Sequence, residues 1–402
     1  MNLPTELWID ILKGVVHVPG YNIMHTDLPY QPSPYFDDPR TETLNQAISA
    51  SILTKLTLLR VCKLWYSIIE ELLFEVIVIF RPEQLHKVAD VLTRNPLQGI
   101  FVRRIDLRLR DSSLSHISAE TMEAIIKPCI NLEVFIDGKS CYQPVQYDAL
   151  DLLARHAKKL RHFSFPIYGK THQTFGGLVR CASQLTRLEL LWLPDIDVLE
   201  QGESIVSSLS LPSLHSLAIE IDILWGPFIL GLAQWNLPSL ANVRLMGSRH
   251  NLMDPTPFFE VHGHKIKVLT FAVTPPGLET ILDTCSSTLV TLIYPFDSTA
   301  KFNLAIKSMP KLCILGVWIP PYPYPTYPIA DHFEDLTDAY FHTIRTRLPA
   351  VKEITFIDCA SEFELDRWSK KRLRIWKKHQ LRWHNMGIPL AVPGGRLFPG
   401  TE

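Results

Sequence analysis

A short pattern of apolar positions, apolar-x-x-apolar-x-apolar, recurs along the chain between residues 102 and 356. Apolar residues that alternate at the end of each copy predict a strand with one buried face. Successive copies begin 23 to 39 residues apart, close to the period of stacked strand–helix repeats. The copies are Val102/Ile105/Leu107, Leu132/Phe135, Leu160/Phe163/Phe165, Leu185/Leu188/Leu190, Leu214/Leu217/Ile219, Leu240/Val243/Leu245, Ile266/Leu269/Phe271, Leu289/Leu292/Tyr294, Leu312/Leu315/Val317 and Val351/Ile354/Phe356.

The segments between these copies predict helices that end at the next strand. In several copies a proline stands two residues before the first apolar position, where it ends a helix and favours extended backbone. Three cysteines precede strands at the crowded helix end, where a small apolar side chain packs well. The prolines are Pro212, Pro238, Pro310 and Pro349, the cysteines are Cys129, Cys181 and Cys285, and the predicted helices are Ala119–Lys127, Tyr147–Lys158, Phe228–Trp235, Leu278–Thr284 and Lys301–Met309.

Polar residues occupy many of the alternate strand positions, which predicts that the second face of the sheet is in contact with water. A doubly wound sheet, the alternative, is covered by helices on both faces, and its strands are continuous apolar runs. The pattern therefore favours an α/β solenoid, a curved array with a parallel sheet on one face and helices on the other. The polar positions are Arg104, Asp106, Arg108, His162, Ser164, Arg187, Glu189, Asn242, Arg244, Glu353 and Thr355.

This array resembles degenerate leucine-rich repeats, whose period is 20–29 residues. The resemblance covers the strand core and the spacing. It does not include the asparagine or cysteine that this family places three residues after the last apolar position. Those positions hold Arg110, Tyr168, Leu193, Asp222 and Ser248, so no asparagine ladder is expected.

The residue pattern of the N-terminal region predicts a small helical module. Residues 3–12 have proline at the first turn, acidic residues near the positive helix end and an apolar stripe of Leu7, Ile11 and Leu12. Residues 52–74 carry more apolar residues than one stripe needs, which predicts two short packed helices. Between them, residues 17–48 contain five prolines and predict an extended or flexible insertion.

The module resembles an F-box. The opening Leu-Pro-x-Glu-Leu and the later Val-Cys-Lys-x-Trp (residues 61–65) match the two ends of that family's motif, although the insertion interrupts them. The resemblance implies binding to a Skp-type adaptor and, through it, to a cullin–RING ubiquitin ligase. The alternative is that residues 1–75 only cap the end of the array. The implied adaptor-binding residues are Leu3, Pro4, Glu6, Leu7, Ile11, Leu59, Val61, Cys62, Trp65 and Ile68.

We predict three segments: the helical module with its insertion (residues 1–80), the repeats (81–360) and a basic C-terminal helix and tail (361–402). A protein substrate is expected to contact the second face of the sheet and an aromatic, proline-rich loop after residue 317. Residues 367–383 carry eight cations and predict a capping helix, with nuclear import as an alternative role. The candidate substrate contacts are Arg187, Glu189, Arg244, Trp318 and Tyr322.

Composition and motifs narrow the functions further. The net charge of −1 gives no reason to expect nucleic acid, and the seven scattered cysteines indicate neither disulfides nor a zinc site. No secretory signal or membrane span is indicated, so cytoplasmic or nuclear location is expected. No motif predicts a catalytic residue, a metal or a cofactor. The sequence favours a ligase substrate receptor; a binding scaffold without a ligase and a cryptic α/β hydrolase remain alternatives.

Overall fold

The computed structural model describes residues 3–18, 39–109, 118–137, 146–165, 172–196, 209–221, 226–247, 254–271, 275–295, 309–319, 348–358 and parts of 381–397. The chain divides into two compact units: Met1–Leu214 with Asn236–Pro238, and His215–Trp235 with Ser239–Glu402. The described helices are α1 (Thr5–Val16), α2 (Pro39–Leu58), α3 (Lys63–Glu75), α4 (Pro82–Arg94), α5 (Ala119–Ile126), α6 (Gln146–His156), α7 (His172–Gln184), α8 (Gly226–Ala233), α9 (Thr256–His262) and α10 (Leu278–Cys285). The strands are β1 (Val76–Ile79), β2 (Arg104–Leu107), β3 (Val134–Asp137), β4 (His162–Ser164), β5 (Leu190–Ile196), β6 (Ser216–Ile221), β7 (Asn242–Gly247), β8 (Val268–Phe271), β9 (Thr291–Pro295), β10 (Ile314–Ile319), β11 (Glu353–Asp358), β12 (Leu390–Val392) and β13 (Arg396–Leu397).

The first unit begins with a three-helix module, α1–α3. Leu12 and Val16 of α1 pack on three buried residues of α3, and the rings of Trp8 and Trp65 lie 5.2 Å apart at the edge of this core. The chain breaks after Leu58 and resumes as α3 at Lys63, where the Cys62 side chain accepts a hydrogen bond from the Trp65 amide. The predicted break of residues 52–74 into two helices is therefore confirmed, but the first of them, α2, is 20 residues long rather than short.

The predicted insertion is partly wrong. Helix α2 begins at Pro39, so residues 39–48 are helical rather than an extended loop. Pro39 is compatible with this because the first helical turn needs no backbone N–H from proline. Of the rest of the insertion, residues 17 and 18 have no regular secondary structure, and residues 19–38 lie outside the described residues.

Strands β1–β5 form a parallel sheet in chain order. Each strand pairs with the next, and Ile77, Ile105, Phe135, Phe163 and Leu191 occupy one row across the sheet. All five are buried, and the Phe135 and Phe163 rings lie 6.3 Å apart. Helices α4–α7 pack side by side in the same order. This row and the helices form the core of the unit.

The second unit repeats this arrangement. Strands β6 to β12 pair in parallel and in chain order, and β13 is antiparallel to β12. Val243, Leu269 and Leu292 lie in one buried row. Helices α8, α9 and α10 again pack on their neighbours in sequence.

Strand order decides between the two predicted architectures. Parallel crossovers are almost always right-handed, so strands that pair in chain order have their crossovers on one face of the sheet. A doubly wound sheet requires the order to reverse, and among the described strands of each unit it does not. Each unit is therefore a repeat α/β array of the kind that the solenoid prediction requires.

Two predictions about the strands are wrong. In the fourth repeat Leu185 and Leu188 are buried as predicted, but Leu190 is only half-buried. The buried positions of the strand are Leu191 and Leu193, because β5 begins only at Leu190 and Leu191 pairs with Phe163. Arg187 and Glu189 therefore precede the strand and do not belong to its second face. The second face itself is also not uniformly exposed: the side chains of Arg104, Asp106, Arg108, His162 and Ser164 are buried.

Candidate functional site

Helix α1 exposes an apolar stripe to solvent. Leu7, Ile11 and Val15 follow each other at four-residue spacing, which places them on one face of the helix. They are 47%, 46% and 56% exposed, whereas Leu12 and Val16, on the other face, are buried. Leu3, just before the helix, is exposed as well. The helix therefore uses one apolar face for the core and keeps another available to a partner.

The other two helices of the module add to this surface. Of the large apolar residues that are exposed in the described part of the chain, more than half lie between residues 3 and 66. Proteins rarely expose so many apolar side chains in one small module unless a partner covers them. We call this set the apolar surface of the module; it comprises Leu3, Leu7, Ile11, Val15, Leu53, Leu56, Val61, Leu64 and Tyr66.

The predicted adaptor-binding residues divide into two groups in the structure. Leu3, Pro4, Glu6, Leu7, Ile11, Val61 and Cys62 are exposed. Leu59 and Trp65 are half-buried against the core of the module, and Ile68 belongs to that core. Ile68 therefore supports the fold of the module and does not present a contact surface.

Sequence reasoning missed five residues of the apolar surface. Val15 continues the four-residue spacing of Leu7 and Ile11, so the periodicity of α1 could have indicated it. Leu53, Leu56, Leu64 and Tyr66 could not be assigned in this way, because residues 52–74 are apolar on several helix faces. Only the packing of α2 and α3 distinguishes the buried side chains from the exposed ones.

A cavity of about 280 Å³, partly open to solvent, is lined by residues of the module and of the first strand. Ile48, Ile52 and Val16 line it from the helices, and Val76 and Val78 line it from β1. Lys55 also faces the cavity and donates to the carbonyl of Leu72 at 2.9 Å, near the C-terminal end of α3. Burial lowers the pKa of Lys55, and the charge of Glu75 opposes this effect. Lys55 thus complements the C-terminal end of α3, where carbonyls lack helical partners.

Polar side chains of the second face form a buried cluster beside this cavity. The carboxylate of Asp106 accepts from Arg104 at 2.8 and 3.0 Å and from Arg108 at 3.3 Å. Arg108 also donates to Oδ1 of Asn45, on α2, at 2.6 Å. We call Asn45, Arg104, Asp106 and Arg108 the buried polar cluster. Because it joins α2 to β2, the module lies against the second face at this end of the sheet.

A ladder of alternating charges runs along the residues that precede the first five strands. Arg103 contacts Glu133 at 2.7 Å and Glu75 at 3.7 Å. Arg161 holds Glu189 through two hydrogen bonds of 2.9 and 2.7 Å, and these bonds raise the pKa of Arg161. Glu189, predicted as a substrate contact, is therefore engaged in an ion pair between neighbouring repeats.

The other predicted substrate contacts have different positions. Arg187 is exposed but precedes β5. Arg244 lies on the second face of β7, half-buried, beside Ala218 of β6 and Thr270 of β8. Trp318 is in β10, and Tyr322 lies outside the described residues, as do residues 367–380 of the basic segment. Only Arg244 is therefore shown at the predicted kind of position.

The described residues contain no group of histidine, cysteine, aspartate or glutamate side chains that could hold a metal ion. Within the same part of the chain, no helix combines the length and the apolar composition that crossing a bilayer requires. No family model matches the sequence, and no curated protein matches it.

Proposed function

We propose that this protein is a substrate-receptor subunit of a cullin–RING ubiquitin ligase and that its helical module binds a Skp-type adaptor. The observation that carries the proposal is the apolar surface of the module. It includes Leu3, Leu7, Ile11 and Val61, which are the positions where the F-box resemblance implies adaptor contacts. The resemblance was derived from the sequence alone, so the exposure of these side chains supports it independently.

The energetics of such a surface favour a protein partner. Burying one leucine or isoleucine side chain contributes roughly 1.5–3 kcal/mol, and the nine residues of the apolar surface are enough for the centre of a standard interface. Charged residues such as Glu6, Asp10 and Lys63 are exposed in the same module. An apolar centre with a polar rim is the usual anatomy of a protein–protein interface.

In the proposed mechanism this chain catalyses no reaction itself and acts by bringing a target protein close to the ligase. The module attaches the protein to the ligase, and the repeats hold a target near the ubiquitin donor, which raises the effective concentration of the target. For the target we propose the second face of the second unit, around Asn242 and Arg244. Asn242 and Arg244 are half-buried, whereas Arg104, Asp106, Arg108, His162 and Ser164 on the corresponding face of the first unit are buried. Trp318, near the end of β10, and Tyr322, three residues after that strand, remain proposed contacts.

Adaptor binding is tested with purified Skp-type adaptor and the full chain. We expect Leu7→Asp and Ile11→Asp each to weaken binding roughly 30-fold or more, because each places a charge at the centre of an apolar interface. Isothermal titration calorimetry measures the affinity, and circular dichroism checks that the module stays folded.

The matched control is Leu97→Asp. Leu97 is 69% exposed, more than either test residue, and lies in the 3-10 helix Pro96–Phe101, outside the apolar surface. Its substitution is expected to leave adaptor affinity unchanged. If the unmodified chain does not bind the adaptor, or if all three variants bind equally, the ligase proposal fails. The module would then be a cap for the array, as its packing on β1 and β2 permits.

A further inference from the structure

Residues 152–188, in the first unit, carry an unbalanced positive charge. They contain seven lysines and arginines and no aspartate or glutamate, although the net charge of the whole chain is −1. One of the seven, Arg161, pairs with Glu133 and Glu189 in the ladder of alternating charges. Five others are exposed in the structure. We call these five the basic edge; they are Arg155, Lys158, Lys159, Arg180 and Arg187.

The hydrogen-bond acceptors that the basic edge uses are neutral. Arg155 donates to the main-chain carbonyl of Asp151 at 3.2 Å. Lys158 donates to the carbonyl of Ala154 and, at 3.4 Å, to Oε1 of Gln184. Within the described part of the chain, none of the five cations pairs with a carboxylate. Their positive charge is therefore not balanced by the residues around them.

Hydrogen bonds across successive repeats place the basic edge in line with an apolar surface. Lys159 donates at 2.6 Å to Oδ1 of Asn131, and Nδ2 of Asn131 donates at 2.7 Å to the carbonyl of Ile100. Asn131, Lys159 and Arg187 each stand two residues before a member of the ladder, so they hold equivalent positions in three consecutive repeats. One continuous edge therefore runs from the turn before β2 to the turn before β5.

Exposed apolar side chains occupy the first part of this edge. Leu97 and Ile100 are three residues apart in the 3-10 helix before β2, so they lie on one face of it. Ile130 belongs to the next turn, and Gly99 packs so closely on Pro128 of that turn that a Cβ atom would approach it to 2.6 Å. We call Leu97, Ile100 and Ile130, which are all exposed, the apolar edge.

The helix dipole accounts for only part of the positive charge. Cations at the C-terminal end of a helix offset its dipole, and this explains Arg155 and Lys158 at the end of α6. Lys159 and Arg187 each lie three residues beyond a helix, and neither donates to a carbonyl of the described helices. These two cations are free to serve an acidic partner.

Charge and apolar character together favour a polypeptide as that partner. Unbalanced cations attract carboxylates, whereas apolar side chains beside them match other apolar side chains. Nucleic-acid interfaces are more uniformly polar and basic. Neighbouring strands lie about 4.8 Å apart, so the edge from Ile100 to Arg187 covers about 15 Å, which an extended segment of about five residues spans.

We propose that the basic edge and the apolar edge together bind an acidic polypeptide segment that carries apolar side chains. Carboxylates of the segment contact Lys159 and Arg187, and its apolar side chains cover Ile100 and Ile130. The site lies within the first unit, and the proposal does not depend on adaptor binding.

Fluorescence anisotropy with the isolated full chain and labelled peptides tests the proposal. The probes contain two leucines and three glutamates separated by a glycine, in both sequence directions, and matched peptides carry glutamine in place of glutamate. We expect at least one acidic peptide to bind and its glutamine counterpart to bind roughly 10-fold more weakly or worse. The affinity of the acidic peptide should decrease as salt is added.

Variants of the chain locate the binding. Lys159→Gln combined with Arg187→Gln is expected to weaken the acidic peptide roughly 10-fold or more, and Ile130→Ser roughly 3- to 10-fold. The matched control combines Lys267→Gln with Lys311→Gln. It removes two charges from exposed positions before β8 and β10, in the second unit, and should leave the affinity unchanged. Circular dichroism checks that each variant is folded.

Three results would overturn the proposal. The first is that no acidic peptide binds the unmodified chain, and the second is that the two double variants lose affinity equally, which would assign binding to net charge. The third is tighter binding of a single-stranded oligonucleotide of matched length, which would assign the edge to nucleic acid. Should the first double variant lose its fold, Arg187→Gln alone replaces it, with an expected loss of roughly 3-fold.

Discussion

His262, the last residue of α9, is a histidine in an apolar environment. It is 2% exposed and its ring lies 4.9 Å from the ring of Phe258. Burial, together with the charge of Lys265, lowers its pKa from 6.5 to about 4. His162 in β4 shows the same behaviour, with a pKa lowered to about 4 mainly by burial. Both side chains are therefore neutral in the folded protein at physiological pH.

The lowered pKa makes stability depend on pH. Between pH 6.5 and 4 the unfolded chain binds a proton at each of these histidines, whereas the folded chain does not. Stability therefore rises with pH across this interval and is independent of these groups above it. For His262 the loss at pH 5, relative to pH 7, is about 2 kcal/mol.

We expect His262→Leu to remove this contribution. Urea unfolding at pH 7 and pH 5 measures the difference in the free energy of unfolding for the unmodified chain and for the variant. His264→Leu is the matched control, because His264 is exposed two residues further along the chain. If His262→Leu retained the full difference between the two pH values, the neutral state of the buried imidazole would be disproved.

At the scale of the elements, the charge ladder joins successive repeats. Glu75, Arg103, Glu133, Arg161 and Glu189 occupy equivalent positions before β1–β5, so opposite charges alternate at the spacing of neighbouring strands. The pair of Arg161 and Glu189 is bidentate and about two-thirds buried. Pairs with this geometry contribute more than the flexible surface pairs that a count of charges would include.

A double-mutant cycle with Arg161→Met and Glu189→Gln tests this contribution. We expect a coupling energy of about 0.5–1 kcal/mol that decreases at high salt. The exposed pair of Glu123, on α5, and Lys127, directly after it, is 3.8 Å apart and serves as control; it should show about 0.3 kcal/mol or less. Purely additive effects at residues 161 and 189 would show that the ladder does not stabilise the contact between repeats.

The sequence predicted the repeat and most of its elements because the pattern is local. Alternating apolar residues define β2, β3 and β4 directly, and the predicted helix at Leu278–Thr284 agrees closely with α10. The register of β5 failed because residues 188–193 contain four leucines, which permit two alternating frames. Only pairing with β4, which places Leu191 beside Phe163, selects the correct frame.

The burial of polar side chains on the second face also could not be predicted, and the reason differs from that for the register of β5. Arg104, Asp106 and Arg108 alternate with apolar residues, and this alternation is typical of a strand with a solvated face. Helix α2 contributes to their burial, and its Asn45, which accepts a hydrogen bond from Arg108, is distant from them in sequence. This helix also follows a proline-rich segment. For the candidate site, the motif identified the exposed residues of α1, but the role of Ile68 in the core depends on how three helices pack.

At the scale of the whole molecule, the proposed function assigns attachment to the helical module and target binding to the second unit. Adaptor binding should therefore alter hydrogen exchange in only one part of the chain. We expect slower exchange of backbone amides in residues 3–16 and 61–66, which carry most of the apolar surface, and no change in β6–β8. Mass spectrometry of peptides from the full chain, with and without adaptor, measures this. Protection of β6–β8 instead would assign the adaptor to the repeats.

The positions of the cysteines provide a further way to follow adaptor binding. Cys129, Cys181 and Cys285 are completely buried, and burial raises the pKa of each thiol to about 12, so almost no reactive thiolate forms near neutral pH. Cys62 is exposed beside Val61 and Leu64. An alkylating reagent will therefore modify Cys62 in preference to those three sites, and a partner seated on the module would shield it. Alkylation of this one thiol becomes a built-in footprint of partner occupancy.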